Sequence, residues 1–138
     1  GLLLALILAE TARTGPTRPT STVGRMVLAD QVNRYIAVHF HENISTALIA
    51  RELRCNPDYL GQVYRQVHDR TITEAIHLCR LHYACRRLTM TTDRIKEIAK
   101  AYGFGDSGYF HRIFRRYKGM TPGAYRRLYA RMHVNTNM

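Results

Sequence analysis

Ser107, His111 and Arg115 recur every four residues and Arg112 stands three before Arg115, so a helix through them carries a hydroxyl, an imidazole and two guanidinium groups on one face. Such a face has the chemistry of nucleic-acid readout. An Arg fork can bond a guanine edge or a phosphate, while Ser and His can donate or accept at base edges. On that basis Arg112 is the main candidate base reader, assisted by His111 and Ser107, with a phosphate contact as the alternative role for Arg112. An earlier segment presents Asp58, Gly61, Gln62 and Arg65 in the same way. There Gln62 is the candidate reader, with a solvated surface amide as its alternative, and Gly61 has no side chain to offer. Asp58 would bring a negative charge toward DNA and suits helix capping better. Arg65, Lys96, Arg115, Arg116 and Lys118 are candidates for phosphate contact, joined by backbone amides at helix starts near Ser45 and Arg94.

The charge balance of the whole chain agrees with this chemistry. Its 138 residues hold 21 Lys and Arg against 10 Asp and Glu, a formal charge of +11. No acidic residue follows Asp106, whereas Arg112, Arg115, Arg116, Lys118, Arg126, Arg127 and Arg131 do. That excess points to a polyanionic partner, double-stranded DNA before a membrane surface, because the positive charge is mostly Arg. Cys55, Cys79 and Cys85 are odd in number and lack paired spacing, which argues against a secreted disulfide framework and for a reducing cytoplasm. Cys79, His82 and Cys85 share one sector of a helix, yet a structural zinc site needs a further ligand, so no metal is expected. His39 and His41 near a helix end suit surface or capping roles. The sequence has no Gly-rich phosphate loop, nucleophile elbow or paired-carboxylate site, so neither an enzyme nor a cofactor is expected.

The elements that must position these residues are helices. Apolar spacing and cap signals predict an all-α chain of about seven helices with no alternating strand pattern. Residues 26–40 place Val27, Val32, Tyr35, Ile36 and Phe40 on one side, and residues 45–53 bury Leu48, Ile49 and Leu53. Asn56 followed by Pro57 opens a helix to 68, and Thr71 with Glu74 makes a capping box for a long helix over 72–89. Asp93 can cap a helix to 101, Asp106 one over 107–117, and Thr121 with Pro122 opens the last.

Two stretches of this helical pattern are copies of one another. Ile49-Ala50, Leu53, Tyr59-Leu60, Val63-Tyr64-Arg65 and Thr71 match Ile98-Ala99, Tyr102, Tyr109-Phe110, Ile113-Phe114-Arg115 and Thr121, with one residue inserted in the second turn. Each copy is a short helix, a turn and a second helix, the layout of a helix-turn-helix. Ala50 and Ala99 allow close helix approach; Leu60, Val63, Phe110 and Ile113 hold the second helix to the core.

At these residues the chain resembles the AraC/XylS family of bacterial transcription regulators, over about residues 27–127. The likeness rests on Ile95-Lys96-Glu97-Ile98-Ala99, Gly103-Phe104-Gly105-Asp106, Tyr109 through Tyr117 and Gly119-Met120-Thr121-Pro122, with Arg80-Leu81, Ala84 and Leu88 matching the connecting helix. The resemblance implies two helix-turn-helix subdomains joined by a long connector helix, with recognition helices at 57–68 and 107–117 that read adjacent major-groove segments. It further implies contact with RNA polymerase, and a small-molecule effector acting through an upstream domain. The first copy departs from the pattern, since Arg54 and Asp69 stand where the family usually has Gly, so its backbone there is expected to be strained or to follow a different path.

The expected organisation is therefore the end of an upstream domain plus linker over 1–25, then a DNA-binding domain over 26–138. The latter divides into a first unit at 26–71, a connector at 72–89 and a second unit at 90–131. Residues 2–12 resemble the tail of such an upstream domain, and 14–23 have linker composition; an ordinary first helix of this domain is the other reading of the opening run. The competing functional class is a helical protein-interaction module, with the Leu2 to Leu8 face and the basic surface docking a partner. Leu2 to Leu8 is too short to span a bilayer.

Overall fold

The computed structural model describes residues 21–136, and the side chains of 21–130. The proposed upstream helix and its Leu2 to Leu8 face lie outside the described residues. Within them the chain folds into seven helices without a strand: α1 (Thr22–His39), α2 (Thr46–Glu52), α3 (Pro57–His68), α4 (Ile72–Met90), α5 (Ile95–Ala101), α6 (Ser107–Lys118) and α7 (Pro122–Thr136).

The helix α1 begins at Thr22, ahead of the expected Met26, because the Ser21 hydroxyl accepts the Gly24 N–H at 3.0 Å. Its buried stripe also differs from expectation. Leu28, Val32 and Ile36 repeat every four residues and are buried together with Ala29, whereas Val27 is 53% exposed. The expected face was thus rotated by one position at its start.

The described chain forms two compact units. One is built from residues up to Tyr35 together with Ile44–Thr73; the other takes Ile36–Asn43 and everything from Glu74 onward. The division does not follow helix ends, since α1 contributes its last turn to the second unit and α4 its first residues to the first.

In the first unit α2 packs on α3, and Leu28, Ala29, Val32, Ile44, Ile49, Ala50, Leu60, Val63, Tyr64 and Ile72 are buried. Each large side chain so buried contributes about 1.5–3 kcal/mol from loss of water contact. In the second unit α5 packs on α6 and α6 on α7. Its core is Leu81, Ala84, Cys85, Leu88, Ile98, Ala99, Phe104, Phe110, Ile113 and Phe114. Phe110 stacks edge to face with Phe114 at 5.6 Å and Phe104 leans on Phe110 at 4.9 Å, so aromatic packing fixes the seat of α6.

Two arginines, Arg80 buried and Arg126 half-buried, also serve the second unit. Arg80, 7% exposed, donates through Nε to the Phe40 carbonyl at 2.7 Å and through an Nη to the Glu42 carbonyl at 2.8 Å. Burial lowers its affinity for a proton from the ordinary Arg value, and the two carbonyls, not a carboxylate, meet its charge. Arg126 likewise donates to the carbonyls of Leu88 and Asp93, tying α7 to the chain that leaves α4.

Candidate nucleic-acid interface

The second helix-turn-helix is made of α5, the turn at 102–106 and α6. Ile98 and Ala99 are buried beneath α6, and the turn is closed by the Phe104 N–H donating to the Ala99 carbonyl at 2.9 Å. Gly103 has φ +87°, and a Cβ there would lie 2.9 Å from the Phe40 carbonyl oxygen and 2.8 Å from Arg80 Nε. Only glycine satisfies both the left-handed backbone and the close approach. Asp106 then caps α6 by accepting the Gly108 N–H at 3.0 Å, as expected from the sequence.

With Phe110, Ile113 and Phe114 turned inward, α6 exposes Arg112, Arg115, Arg116 and Lys118. The Arg112 guanidinium lies 5.7 Å from the centre of the Tyr109 ring, and that of Arg116 lies 5.9 Å from Tyr117. Flat guanidinium groups rest on aromatic faces in this way and lose little hydration. Ser107 and His111 are half-buried. His111 Nδ1 and the Ser107 carbonyl are 2.8 Å apart; a carbonyl can only accept, so Nδ1 carries a hydrogen and donates it. Lys96 is exposed on α5.

The cap of α5 differs from expectation. Arg94 occupies the cap position without a side-chain bond, and Asp93 is held by the Arg87 Nε at 2.7 Å. That bond keeps the Asp93 carboxyl below the usual carboxylate range. Asp93 thus serves the end of α4 instead of the start of α5.

The first helix-turn-helix repeats the layout with other backbone chemistry. Arg54 has φ 57° and Asp69 φ 55°, the left-handed conformations that Gly103 and Gly119 adopt in the second copy. The first copy thus keeps the second copy's left-handed turns at both positions, at the cost of strain on side-chain-bearing residues. Asn56 Oδ1 accepts from the N–H groups of Asp58 at 2.8 Å and Tyr59 at 3.2 Å. The cap is therefore Asn56, and Asp58 adds only its charge to the first turn. Gln62 and Arg65 are exposed, and an added Cβ on Gly61 would meet nothing within 4 Å.

The expected readers are thus gathered on the outer faces of α3 and α6 within their own units, while Lys96 stands on α5. Sequence reasoning missed the polar groups beneath those faces. In the first unit Tyr64 donates to Asn33 Oδ1 at 2.7 Å, and Asn33 Nδ2 lies 3.2 Å from His68 Nε2, joining α3 to α1. In the second, His77 of α4 is buried with Nε2 2.8 Å from the Tyr109 hydroxyl. Burial first, then the charges of Arg80 and Arg116, lower its pKa from the ordinary imidazole value. The available signal was a polar residue one turn ahead of Leu81 and Ala84 on the buried stripe of α4.

Cys85 is buried and hydrogen-bonded to Tyr125, whose hydroxyl is pushed up to about 12 by burial and by that sulfur. Cys79 is half-buried and His82 exposed. Among the described residues no group of three or more His, Cys, Asp or Glu is arranged to hold a metal ion, and no helix is long and apolar enough to cross a membrane.

Comparison with known proteins places this geometry. A helix-turn-helix domain model matches residues 49–128, taking in both copies from α2 to α7. The chain belongs to the AraC/XylS family of helix-turn-helix transcription regulators, as a DNA-binding part of that type. It is 30% identical to the transcriptional regulatory protein YesN of Bacillus subtilis over 118 residues, covering 82% of this chain and 30% of YesN. It is 29% identical to the MmsAB operon regulatory protein of Pseudomonas aeruginosa, covering 70% of this chain and 32% of that protein. The chain thus spans about a third of the length of these two curated relatives. Among solved structures, the C-terminal domain of AraT, a response regulator from Geobacillus stearothermophilus, superposes with a TM-score of 0.71 at 26% identity, over 73% of this chain and 84% of that one. The DNA-binding domain of AdpA, solved with a target DNA, shares the fold with a TM-score of 0.69 at 23% identity, over 73% of this chain and 91% of that one.

Proposed function

We propose that α3 and α6 each enter the major groove of one DNA duplex, with Arg112 as the principal base reader. His111, Ser107 and Gln62 assist at base edges, and Arg65, Lys96, Arg115, Arg116 and Lys118 grip phosphates. The observation that carries this reading is the exposed basic face of α6 above an inward row of Phe110, Ile113 and Phe114, with Arg112 already resting on Tyr109. The DNA-binding domain of AdpA, which shares this fold, was solved with a target DNA, which supports DNA as the partner. The 19 residues of α4 rise roughly 28 Å, a length comparable to the roughly 34 Å between successive major-groove faces, which supports a reading of adjacent segments.

The parent protein, in this reading, is a regulator working in the cytoplasm without a catalytic step. Residues 1–25 hold the end of an upstream effector or dimerisation domain plus its linker, residues 26–138 form the DNA-binding domain, and contact with RNA polymerase turns binding into changed transcription. Sequence selection from a random DNA pool tests the assignments. Arg112→Ala should cost roughly 1–3 kcal/mol on the selected site and relax preference at one base pair, while Lys96→Ala weakens all sequences alike. An Arg112→Ala protein with unchanged preference would sink the assignment, and a footprint limited to one groove segment would sink the two-helix mode.

A further inference from the structure

The base-reading candidate is connected to the interior of its unit by two contacts. Arg112 lies over the ring of Tyr109, and the hydroxyl of that same ring meets His77 Nε2 at 2.8 Å from inside the core. His77 is 8% exposed, sits on α4 and is walled by the rings of Phe104, Tyr109 and Tyr117 at 6.4, 5.8 and 6.3 Å. Its place in α4 is independent of the surface on which Arg112 stands. A ring that slides or tilts freely offers a guanidinium no fixed plane. A ring anchored at its hydroxyl presents one face.

We infer that His77 is a positioning residue for sequence recognition: by holding the Tyr109 hydroxyl it fixes the ring on which Arg112 rests, and so orders the guanidinium before DNA arrives. This rests on the reading of Arg112 as a base reader. The physical gain is preorganisation. A two-pronged bond to guanine needs the guanidinium in one plane, and a side chain already confined there loses less freedom on binding. The charges nearest His77 are those of Arg80, Arg116 and Glu74. Two of them are positive and the site is buried, so the imidazole stays neutral, with one ring nitrogen to donate and one to accept toward the hydroxyl. His77 makes no contact with DNA in this scheme and adds nothing to phosphate grip.

The test compares wild type with His77→Phe, His77→Gln, Tyr109→Phe, the double variant His77→Phe/Tyr109→Phe and Arg112→Ala. Two readouts are taken: selection from a random DNA pool, and nuclear magnetic relaxation of the Arg112 Nε–H in the free protein. Tyr109→Phe keeps the ring and removes only its anchor, while Gln can place a nitrogen near the position of His Nε2. His77→Phe and Tyr109→Phe should each relax preference by about two- to fivefold, the scale of an exposed cation–π contact, at the base pair that Arg112→Ala relaxes. The double variant should be no worse than either single change, and His77→Gln should retain wild-type preference. Arg112 Nε–H should become more mobile in both single variants, with binding to random DNA unaltered.

A loss of affinity on all sequences alike would mark His77 as merely structural and overturn the inference, as would an Arg112 Nε–H equally ordered in every variant. If Arg112→Ala relaxes one base pair and His77→Phe does not, the inference falls and the base-reader assignment stands. If Arg112→Ala relaxes none, that assignment falls, and the relaxation data alone decide whether His77 orders the side chain.

Discussion

Positive backbone φ marks where single residues bear on stability. Arg54 and Asp69 occupy left-handed conformations that glycine fills in the second copy, and such a conformation costs an L-residue about 1–2 kcal/mol. Replacing Arg54 with Gly removes that strain but adds unfolded-state freedom worth about 0.4–1 kcal/mol, so Arg54→Gly should stabilise by roughly 0.5–1 kcal/mol. Asp69→Gly should gain less, because Asp visits this region more readily. The reverse changes should destabilise: Gly119→Ala by roughly 0.5–1 kcal/mol after the same offset, and Gly103→Ala by about 1–3 kcal/mol more, since its Cβ would press on the Phe40 carbonyl and Arg80. Urea midpoints of the four variants check the order, and a neutral Gly103→Ala would show that the turn has another path. The strain itself was foreseeable from sequence, because the repeat aligns Arg54 and Asp69 with glycines.

Helix boundaries were legible wherever a cap acts on its own first turn. Asn56, Asp106 and Thr121 cap as their types and spacing suggest, Thr121 Oγ1 accepting the Ala124 N–H at 3.2 Å. Asp106→Ala should therefore cost about 1 kcal/mol and loosen the start of α6, seen as lower thermal stability and faster amide exchange at Gly108. Equal exchange in the variant would mean the aromatic seat alone holds that turn. Where a cap residue is claimed by a side chain of the preceding helix, or stands in a stretch of linker composition, local pattern misleads. Asp93 has good capping chemistry but is taken by Arg87, and Ser21 caps α1 from within a stretch of linker composition. His77, Arg80 and Asn33 were illegible for a related reason: their partners lie 31 to 40 residues away, a distance at which periodicity carries no information.

Across the whole molecule, the charge of +11 sets how binding responds to solution conditions. Each phosphate neutralised releases counterions, so log affinity should fall linearly with log salt, and removing one phosphate-gripping side chain such as Arg116 should reduce the slope by about one. A slope unchanged in Arg116→Ala would place that side chain away from the backbone. The all-helical fold and the paired outer faces were readable because the repeat appears twice, whereas the division into compact units was not. That division bears on how the protein can be cut. Arg80 has its acceptors on residues 40 and 42, so a fragment starting at Ile72 would leave a buried cation facing nothing. A minimal piece retaining the α6 surface must therefore begin before Ile36. Expressed from residue 72 it should be prone to proteolysis, and expressed from residue 21, with α1 whole, it should resist digestion.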